Sequence, residues 1–242
     1  MLVLIKINQL RDSFIKAWKT SDTVKSKKYA YLGVAAAAGV AIAVLILTQF
    51  NTGPAVQSVP TGIDAYTLNF PYEEANSNLK TTLAVQHMNM SSPVRLSSQS
   101  DIMQYCDFLT NQTKQAMIEY CTSTEIKDER GNFLGNLDMI GSTLAPVMVI
   151  AAAQSDPAFS NYKDVKTLFG DVINETICQC WTRENPGNYT SISAMMDGLR
   201  AFHINGKRPD STTNGIPLDG KHFEIELTTN TKGYLWKLLV AK

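Results

Sequence analysis

The sequence Leu137-Asp-Met-Ile-Gly-Ser-Thr-Leu-Ala-Pro-Val-Met-Val-Ile-Ala-Ala-Ala153 sets the interior of the folded part of the chain, because no charged residue lies between Asp138 and Asp156. Seventeen uncharged residues are at the lower limit for a membrane-spanning helix. Pro146 and the polar Ser142-Thr143 pair interrupt them, and the flanking charges are acidic rather than basic. We therefore predict a buried core helix over 137–153 rather than a second contact with a membrane.

The segments on either side of this stretch have mainly helical patterns. Ser100-Asp101 can cap a helix that contains Ile102 and Leu109, and Thr110-Asn111 offers a break and a new cap. Residues 164–181 and 192–202 have the apolar spacing of two further amphipathic helices. The middle of the chain is thus expected to be mostly helical.

The C-terminal region changes from helical to strand periodicity. In residues 221–229 the apolar side chains of Phe223, Ile225 and Leu227 alternate with Glu224 and Glu226, as in a half-buried strand. A turn at 230–233 would let 234–240 pair back as a hairpin. The fold class predicted from these patterns is α+β: a single N-terminal transmembrane helix, then a mainly helical exported domain with a C-terminal β-hairpin.

The transmembrane prediction rests on residues 29–50, which carry no charge and are long enough to cross a bilayer as a helix. A secretory signal peptide is the alternative, since Ala55 could lie near a cleavage site. The apolar run is longer than such peptides usually have, and 28 residues precede it. We therefore favour a retained anchor.

Charge predicts the orientation of this anchor. The chain has 22 Lys and Arg against 22 Asp and Glu, but residues 1–28 hold seven of the cations and only two of the anions. The positive-inside rule keeps this tail in the cytoplasm and exports the rest. We thus expect a bitopic inner (plasma) membrane protein with a cytoplasmic tail (1–28), a transmembrane helix (29–50), a flexible linker (51–65) and a periplasmic domain (66–242).

Two sets of residues in these N-terminal segments suggest contacts. Apolar residues at near-helical spacing in the basic tail, Leu10, Phe14 and Trp18 among them, suit a helix that lies on lipid or on a cytoplasmic partner. Small residues four apart in the span would allow close helix–helix association, and hence a homo-oligomer; they are Gly33, Ala35, Ala37, Gly39 and Ala43. An anchor without a partner is the alternative.

The four cysteines, Cys106, Cys121, Cys178 and Cys180, all fall on the exported side and are disulfide candidates. If 106–121 formed one straight helix, its two sulfurs would be about 22 Å apart and could not both reach the Cys178/Cys180 pair. Either the chain reverses near 110–112, or the pairing is mixed with a free thiol. We favour the reversal, which brings Cys106 and Cys121 close to Cys178 and Cys180.

The sequence contains no motif that points to catalysis or to a cofactor. A zinc framework or a Cys-x-x-Cys redox motif would need other cysteine spacings, and His87, His203 and His222 have no ligand spacing. A nucleophile elbow, a phosphate-binding loop and a dinucleotide fingerprint are all missing. We expect a protein that is not an enzyme and that binds no metal or cofactor. Because the total charge is balanced, we expect no nucleic-acid partner.

A resemblance to a known family adds a functional expectation. Asn136-Leu-Asp-Met-Ile-Gly-Ser-Thr-Leu-Ala-Pro146, with Tyr105-Cys106 and Tyr120-Cys121 on its flank, resembles periplasmic proteins of the Dot/Icm type IVB secretion class. The resemblance implies a non-catalytic scaffolding component of a bacterial secretion or conjugation machine, with other envelope subunits and the inner membrane as partners. The alternative is a bitopic sensor that binds a ligand outside the membrane.

Overall fold

The computed structural model describes residues 62–109 and 111–242 of the chain. Nine of its strands form one antiparallel sheet. They are β1 (Asn89–Met90), β2 (Val94–Leu96), β3 (Tyr120–Lys127), β4 (Phe133–Gly141), β5 (Pro146–Ser155), β6 (Asp210–Thr212), β7 (Ile216–Leu218), β8 (Lys221–Asn230) and β9 (Gly233–Ala241). The order across the sheet is β1-β3-β4-β5-β9-β8-β6, with β2 also beside β3 and β7 also beside β8.

The α-helices of the described part lie before and between these strands. They are α1 (Tyr72–Val85), α2 (Gln99–Tyr105), α3 (Gln112–Gln115), α4 (Tyr162–Thr176), α5 (Trp181–Glu184) and α6 (Ile192–Asn205). Two 3₁₀ helices, Gly62–Tyr66 and Pro186–Asn188, complete the described elements. The first of them includes the end of the segment predicted to be a flexible linker.

Residues 137–153, predicted to form a buried helix, instead form most of the β4–β5 hairpin, so that prediction is wrong. Leu137 and Met139 face the larger hydrophobic cluster, whereas Ile140 and Met148 face a smaller one on the other side of the sheet. A strand buried on both faces loses the alternation of apolar and polar residues. Pro146 does not break an element here but is the first residue of β5, a position that proline tolerates.

The prediction of a mainly helical domain with an added hairpin is therefore also wrong. The hairpin of β8 and β9 exists, with Asn230 opposite Gly233, but β9 also pairs along its length with β5 from Met148↔Ala241 to Ser155↔Tyr234. The hairpin is thus an integral part of the nine-stranded sheet. Residues 120–127, which belong to the part of the chain expected to be mostly helical, form β3.

The helices α1, α4 and α6 form one layer on the sheet. α4 contacts both neighbours and packs on β5 and β9. Its buried side chains recur every three or four residues, as expected for one face of a helix; they are Tyr162, Val165, Leu168, Phe169, Val172, Ile173 and Thr176. Phe169 on this face and Trp236 on β9 are fully buried in the larger cluster.

The opposite face of the sheet carries the smaller cluster near one end of the strands. Ile102 of α2 and both Cys106 and Cys121 belong to it, with Ile140, Ile150 and Leu239 from the central strands. The remaining side chains of this face are more polar and include the buried residues Asp138, Glu224 and Lys237. The sheet therefore divides the core into a larger part, under the helices, and a smaller part that contains Cys106 and Cys121.

Both outer edges of the sheet are formed by the same kind of structure, a pair of strands of two or three residues with a hydroxyl-bearing residue at the break between them. On one edge Ser91 N–H donates to Glu125 O at 2.9 Å and Ser91 Oγ accepts from Glu125 N–H at 3.0 Å. On the other, Thr213 N–H donates to Ile225 O and Thr213 Oγ1 accepts from Ile225 N–H, both at 3.0 Å. Such interrupted edges hinder the addition of a further strand.

The predicted inner-membrane location also needs correction. Within 62–109 and 111–242 no helix is long and apolar enough to cross a membrane, and the longest, α4, has 15 residues. A single-pass location with a periplasmic domain is therefore not supported. The predicted tail at 1–28 and span at 29–50 lie outside the described residues.

Candidate functional site

An open groove of about 710 Å³ lies beside the first half of α1. We call it the α1 groove. Its other walls are the 91–93 loop, β2, the start of β3 and the β4–β5 turn. The side chains that matter most for its chemistry are Tyr72, Asn76, Ser77, Tyr120, Thr122 and Leu144.

The position of α1 explains which side chains enter this groove. The helix begins after Pro71, which is extended (φ −79°, ψ 153°). The carboxylates of Glu73 and Glu74 in its first turn stabilise it, because the N-terminus is the positive end of the helix dipole. Its buried residues, Tyr72, Ala75, Asn76, Leu79 and Leu83, share one face. Tyr72 and Asn76 therefore point towards the sheet at the inner wall of the groove.

Tyr72 forms the floor of the groove and joins three elements. Its hydroxyl donates to Ser142 O at 2.9 Å, in the β4–β5 turn, and its ring lies edge-to-face with Tyr120 at 4.9 Å. Burial raises the pKa of the phenol far above its usual value, and the nearby Tyr120 and Glu119 raise it further. Tyr72 thus stays protonated and serves as a donor that fixes the turn, not as a base.

The side chains of Asn76 and Thr124 form a hydrogen bond with each other beneath the groove. Asn76 Nδ2 donates to Tyr72 O at 2.9 Å, and Thr124 Oγ1 donates to Asn76 Oδ1 at 3.3 Å. Both side chains are buried. Their hydrogen-bonding groups are occupied by the fold, which leaves them little capacity for a ligand.

Thr122 is different from its neighbour Thr124, two residues away on the same face of β3. It is 1% exposed, yet its hydroxyl has no hydrogen-bond partner among the described residues. A buried hydroxyl without a partner lowers stability, because it has lost water and gained nothing in return. Thr122 also belongs to the wall of the α1 groove, so this unsatisfied hydroxyl lies beside the space that a bound group would occupy.

The rim of the groove carries charges of both signs that balance each other. Arg95 Nη2 and Glu73 Oε1 form an ion pair at 3.0 Å, with both side chains more than half exposed. Lys80 and Glu74 also lie on the rim. Exposed pairs of this kind contribute little to stability, and a balanced rim does not favour a strongly charged ligand.

The groove residues do not form a nucleophile–base pair, but a hydroxyl–imidazole contact occurs elsewhere. His203 Nδ1 is 2.9 Å from Ser211 Oγ, and His203 Nε2 is 2.8 Å from Thr229 Oγ1. His203, on α6, is 1% exposed, and Ser211 is also buried. Burial lowers the pKa of His203, although Asp210 opposes this. The neutral ring thus links α6 to β6 and β8.

The four cysteines form two local disulfides rather than one shared cluster. Cys106 pairs with Cys121 (Cα–Cα 6.5 Å), and Cys178 pairs with Cys180 (Cα–Cα 5.2 Å). The chain does reverse between Cys106 and Cys121, as we predicted from the sequence. The two pairs nevertheless lie on opposite sides of the sheet, in the smaller and the larger cluster, so the prediction that all four come together is wrong.

The other predicted site residues are not placed by the structure. Leu10, Phe14 and Trp18 of the tail, and the small residues of the span from Gly33 to Ala43, lie outside the described residues. Among residues 62–109 and 111–242, no group of three or more His, Cys, Asp or Glu side chains could hold a metal ion.

Sequence reasoning missed the α1 groove, because Thr122 and Tyr72 are 50 residues apart and meet only when α1 packs against β3. The single local signal was the spacing of Tyr72 and Asn76 on one helical face. Comparisons with protein-family models, with curated proteins and with solved structures gave no match. They therefore do not test the resemblance to type IVB secretion proteins, and the site must be interpreted from its geometry.

Proposed function

We propose that this domain is a non-catalytic binding module of a protein assembly, and that its α1 groove receives an uncharged polar segment of a partner subunit. The observation that carries this proposal is the buried hydroxyl of Thr122, a residue of the groove wall, which has no hydrogen-bond partner in the described part of the chain. An acceptor atom from a bound segment would satisfy it.

The short, interrupted strands at the edges of the sheet support a groove as the mode of binding. Many binding domains take up a partner segment as an additional strand, which needs a free row of backbone N–H and C=O groups. Here the edge strands are only two or three residues long, and they are interrupted at Ser91 and Thr213, whose backbone and hydroxyl groups bond inward to β3 and β8. The described edges therefore offer no long row of free backbone groups, which favours recognition by side chains in a groove.

The chemistry of the groove supports a neutral and polar occupant. Its walls contain the hydroxyl-bearing residues Ser77 and Thr122 beside the ring of Tyr120. The rim has as many acidic as basic residues, so long-range attraction of a charged segment is weak. That the assembly is a bacterial secretion machine is a further proposal, which rests only on the sequence resemblance described above.

A sensor that binds a small molecule is the second candidate, and the volume of the groove supports it. About 710 Å³ lies within the usual range for small-ligand sites. The same chemistry would then select an uncharged, hydroxyl-rich molecule. The two candidates share the site and differ in the size of the occupant.

Site-specific photo-cross-linking would test the proposal. A benzoylphenylalanine placed at Ser77, exposed on the groove side of α1, is compared with one at Asn174, exposed on α4 and outside the groove. We expect a protein adduct of one defined mass at Ser77 and none at Asn174, when the intact chain is irradiated in the cells that make it.

The outcomes separate the alternatives. A defined adduct at Ser77 alone supports the binding module. A chain that gives no protein adduct but is purified with a small molecule, identified by mass spectrometry and displaced by Ser77→Trp, supports the sensor instead. Equal adducts at both positions, or neither adduct nor bound molecule, would overturn the assignment of the groove.

A further inference from the structure

The disulfide between Cys178 and Cys180 differs in position from the one between Cys106 and Cys121. It joins residues separated by two in sequence, at the corner where α4 ends and α5 begins. Cys106 and Cys121 are separated by 15 residues and connect the end of α2 to β3. The first pair therefore constrains one corner, whereas the second pair ties two elements together.

The two disulfides also differ in their access to solvent. Cys106 and Cys121 are both 0% exposed, in the interior of the smaller cluster. Cys178 is partly exposed and packs only at the margin of the larger cluster, and Cys180 beside it is 7% exposed. A dissolved thiol can thus approach Cys178 in the folded protein but cannot approach Cys106 or Cys121.

The small size of the Cys178–Cys180 loop also distinguishes this disulfide from a structural one. A disulfide stabilises a protein mainly by restricting the unfolded chain, and this effect decreases with the number of residues in the loop. The Cys178–Cys180 loop is close to the smallest that a disulfide can close. The fold thus gains little from keeping this bond, and exposed bonds of low structural value are typically the labile or regulatory ones.

A positive charge lies close to this corner. Lys221 Nζ donates to Ile177 O at 3.5 Å, and Ile177 directly precedes Cys178. Positive charge stabilises a thiolate, both as the attacking group and as the leaving group in disulfide exchange. The Lys221 ammonium group thus brings positive charge to the corner where a cysteine thiolate would form.

From these observations we propose that Cys178 and Cys180 form a reversible redox couple that exchanges electrons with a low-molecular-weight thiol, while Cys106–Cys121 remains a structural bond. The thiolate of one thiol molecule attacks Sγ of Cys178, the S–S bond breaks, and the electron pair leaves on Sγ of Cys180, which then takes a proton from water. A second thiol attacks the mixed disulfide, releasing the small-molecule disulfide and the Cys178 thiol. Two electrons have then passed from two thiols to the cysteine pair.

Redox titration of the intact chain would test this proposal. The protein is equilibrated in glutathione buffers poised from about −180 to about −260 mV, quenched with acid and labelled with a maleimide. Intact mass and peptide mapping then count and locate the labels. We expect two labels, on Cys178 and Cys180, in buffers where Cys106 and Cys121 carry none, and loss of both labels after return to the most oxidising buffer.

Two results would overturn the proposal: Cys178 and Cys180 unlabelled over the whole range, or both disulfides reduced together. The variant Cys180→Ser gives an independent measurement that does not depend on the native bond. Its Cys178 should form a mixed disulfide with oxidised glutathione at least about ten times faster than the Cys106 thiol of a folded Cys121→Ser variant. Equal rates, or a Cys178 that stays unmodified, would contradict an accessible couple.

Discussion

At the residue scale, Thr122 and Thr124 form a matched pair on β3. Both are 1% exposed and face the helices, but only Thr124 has a partner, Asn76, for its hydroxyl. We expect Thr124→Val to lower the free energy of unfolding by about 1–3 kcal/mol, because it leaves Asn76 Oδ1 buried without its donor. Thr122→Val should keep or raise stability, because it removes a hydroxyl that is already unsatisfied.

Urea unfolding of the two variants measures this difference directly. The substitutions are identical in chemistry and only two residues apart, so each serves as the control for the other. Equal destabilisation by both would mean that the Thr122 hydroxyl has a partner in the protein and is not reserved for a bound group.

Asp138 predicts a dependence of stability on pH. Burial raises its pKa from the ordinary 3.8 to about 6, although a hydrogen bond from Ser123 opposes this. The folded protein thus holds this proton more tightly than the unfolded chain, and the resulting stability is complete below pH 3.8 and is lost as pH rises through 6. We expect Asp138→Asn to stabilise the protein by up to about 3 kcal/mol at pH 7.5 and to have little effect at pH 4.

The control for this prediction is Asp128→Asn in the β3–β4 turn. A hydrogen bond from Asn132 lowers the pKa of the exposed Asp128 carboxyl, so its ionised form supports the fold above pH 4. This variant should lose stability at pH 7.5. Urea unfolding at the two pH values would count against the assignment if Asp138→Asn had the same effect at both.

At the element scale, the hydroxyl groups at the broken edges make a prediction about association. Thr213→Val removes the acceptor of Ile225 N–H, so we expect a loss of about 1 kcal/mol in stability. In combination with Ser91→Ala it leaves the backbone N–H groups of Glu125 and Ile225, in β3 and β8, without their side-chain acceptors. We expect this double variant to self-associate in sedimentation velocity, because open edges pair with other edges.

The conservative variant Thr213→Ser keeps a hydroxyl at the same place and should behave as the wild type. If the double variant sediments as the wild type does, the hydroxyl groups are not what protects the edges. The proposed function also depends on this outcome, since the short and interrupted edge strands are a reason for assigning recognition to the α1 groove.

The element scale also shows why part of the fold could be predicted. Residues 221–240 form one hairpin, whose alternation is local and whose strands are joined by a short turn, so the pattern was sufficient. Residues 137–153 carry apolar side chains on both faces, and this hides the period that separates a strand from a helix. Val147, Val149 and Ile150 were the available signal for a strand, because β-branched residues favour extended structure.

At the scale of the whole molecule, the two disulfides should contribute differently to stability. From the entropy of loop closure, we expect the Cys106→Ser and Cys121→Ser double variant to lose about 3 kcal/mol, and the Cys178→Ser and Cys180→Ser double variant about half of that. Thermal unfolding of both, monitored by circular dichroism, measures the difference. A greater loss from the second variant would show that the short loop is structural.

The assembly of the layers is what the sequence could not predict. The pairing of β5 with β9 joins Met148 to Ala241, and no local pattern specifies a contact of such separation. The α1 groove depends on the same kind of contact, since α1, β3 and the β4–β5 turn meet only in the folded protein. Local patterns thus gave α4, α6 and the hairpin, but neither the sheet nor the site.

The most direct test of the binding proposal measures cross-linking and stability in the same three proteins. With benzoylphenylalanine at Ser77, the yield of adduct is compared among the wild type, Thr122→Val and Thr124→Val. We expect Thr122→Val to lose most of the adduct while its melting temperature is unchanged or higher, and Thr124→Val, at a temperature where it is folded, to retain the adduct. A Thr122→Val protein that cross-links as well as the wild type would contradict the binding proposal.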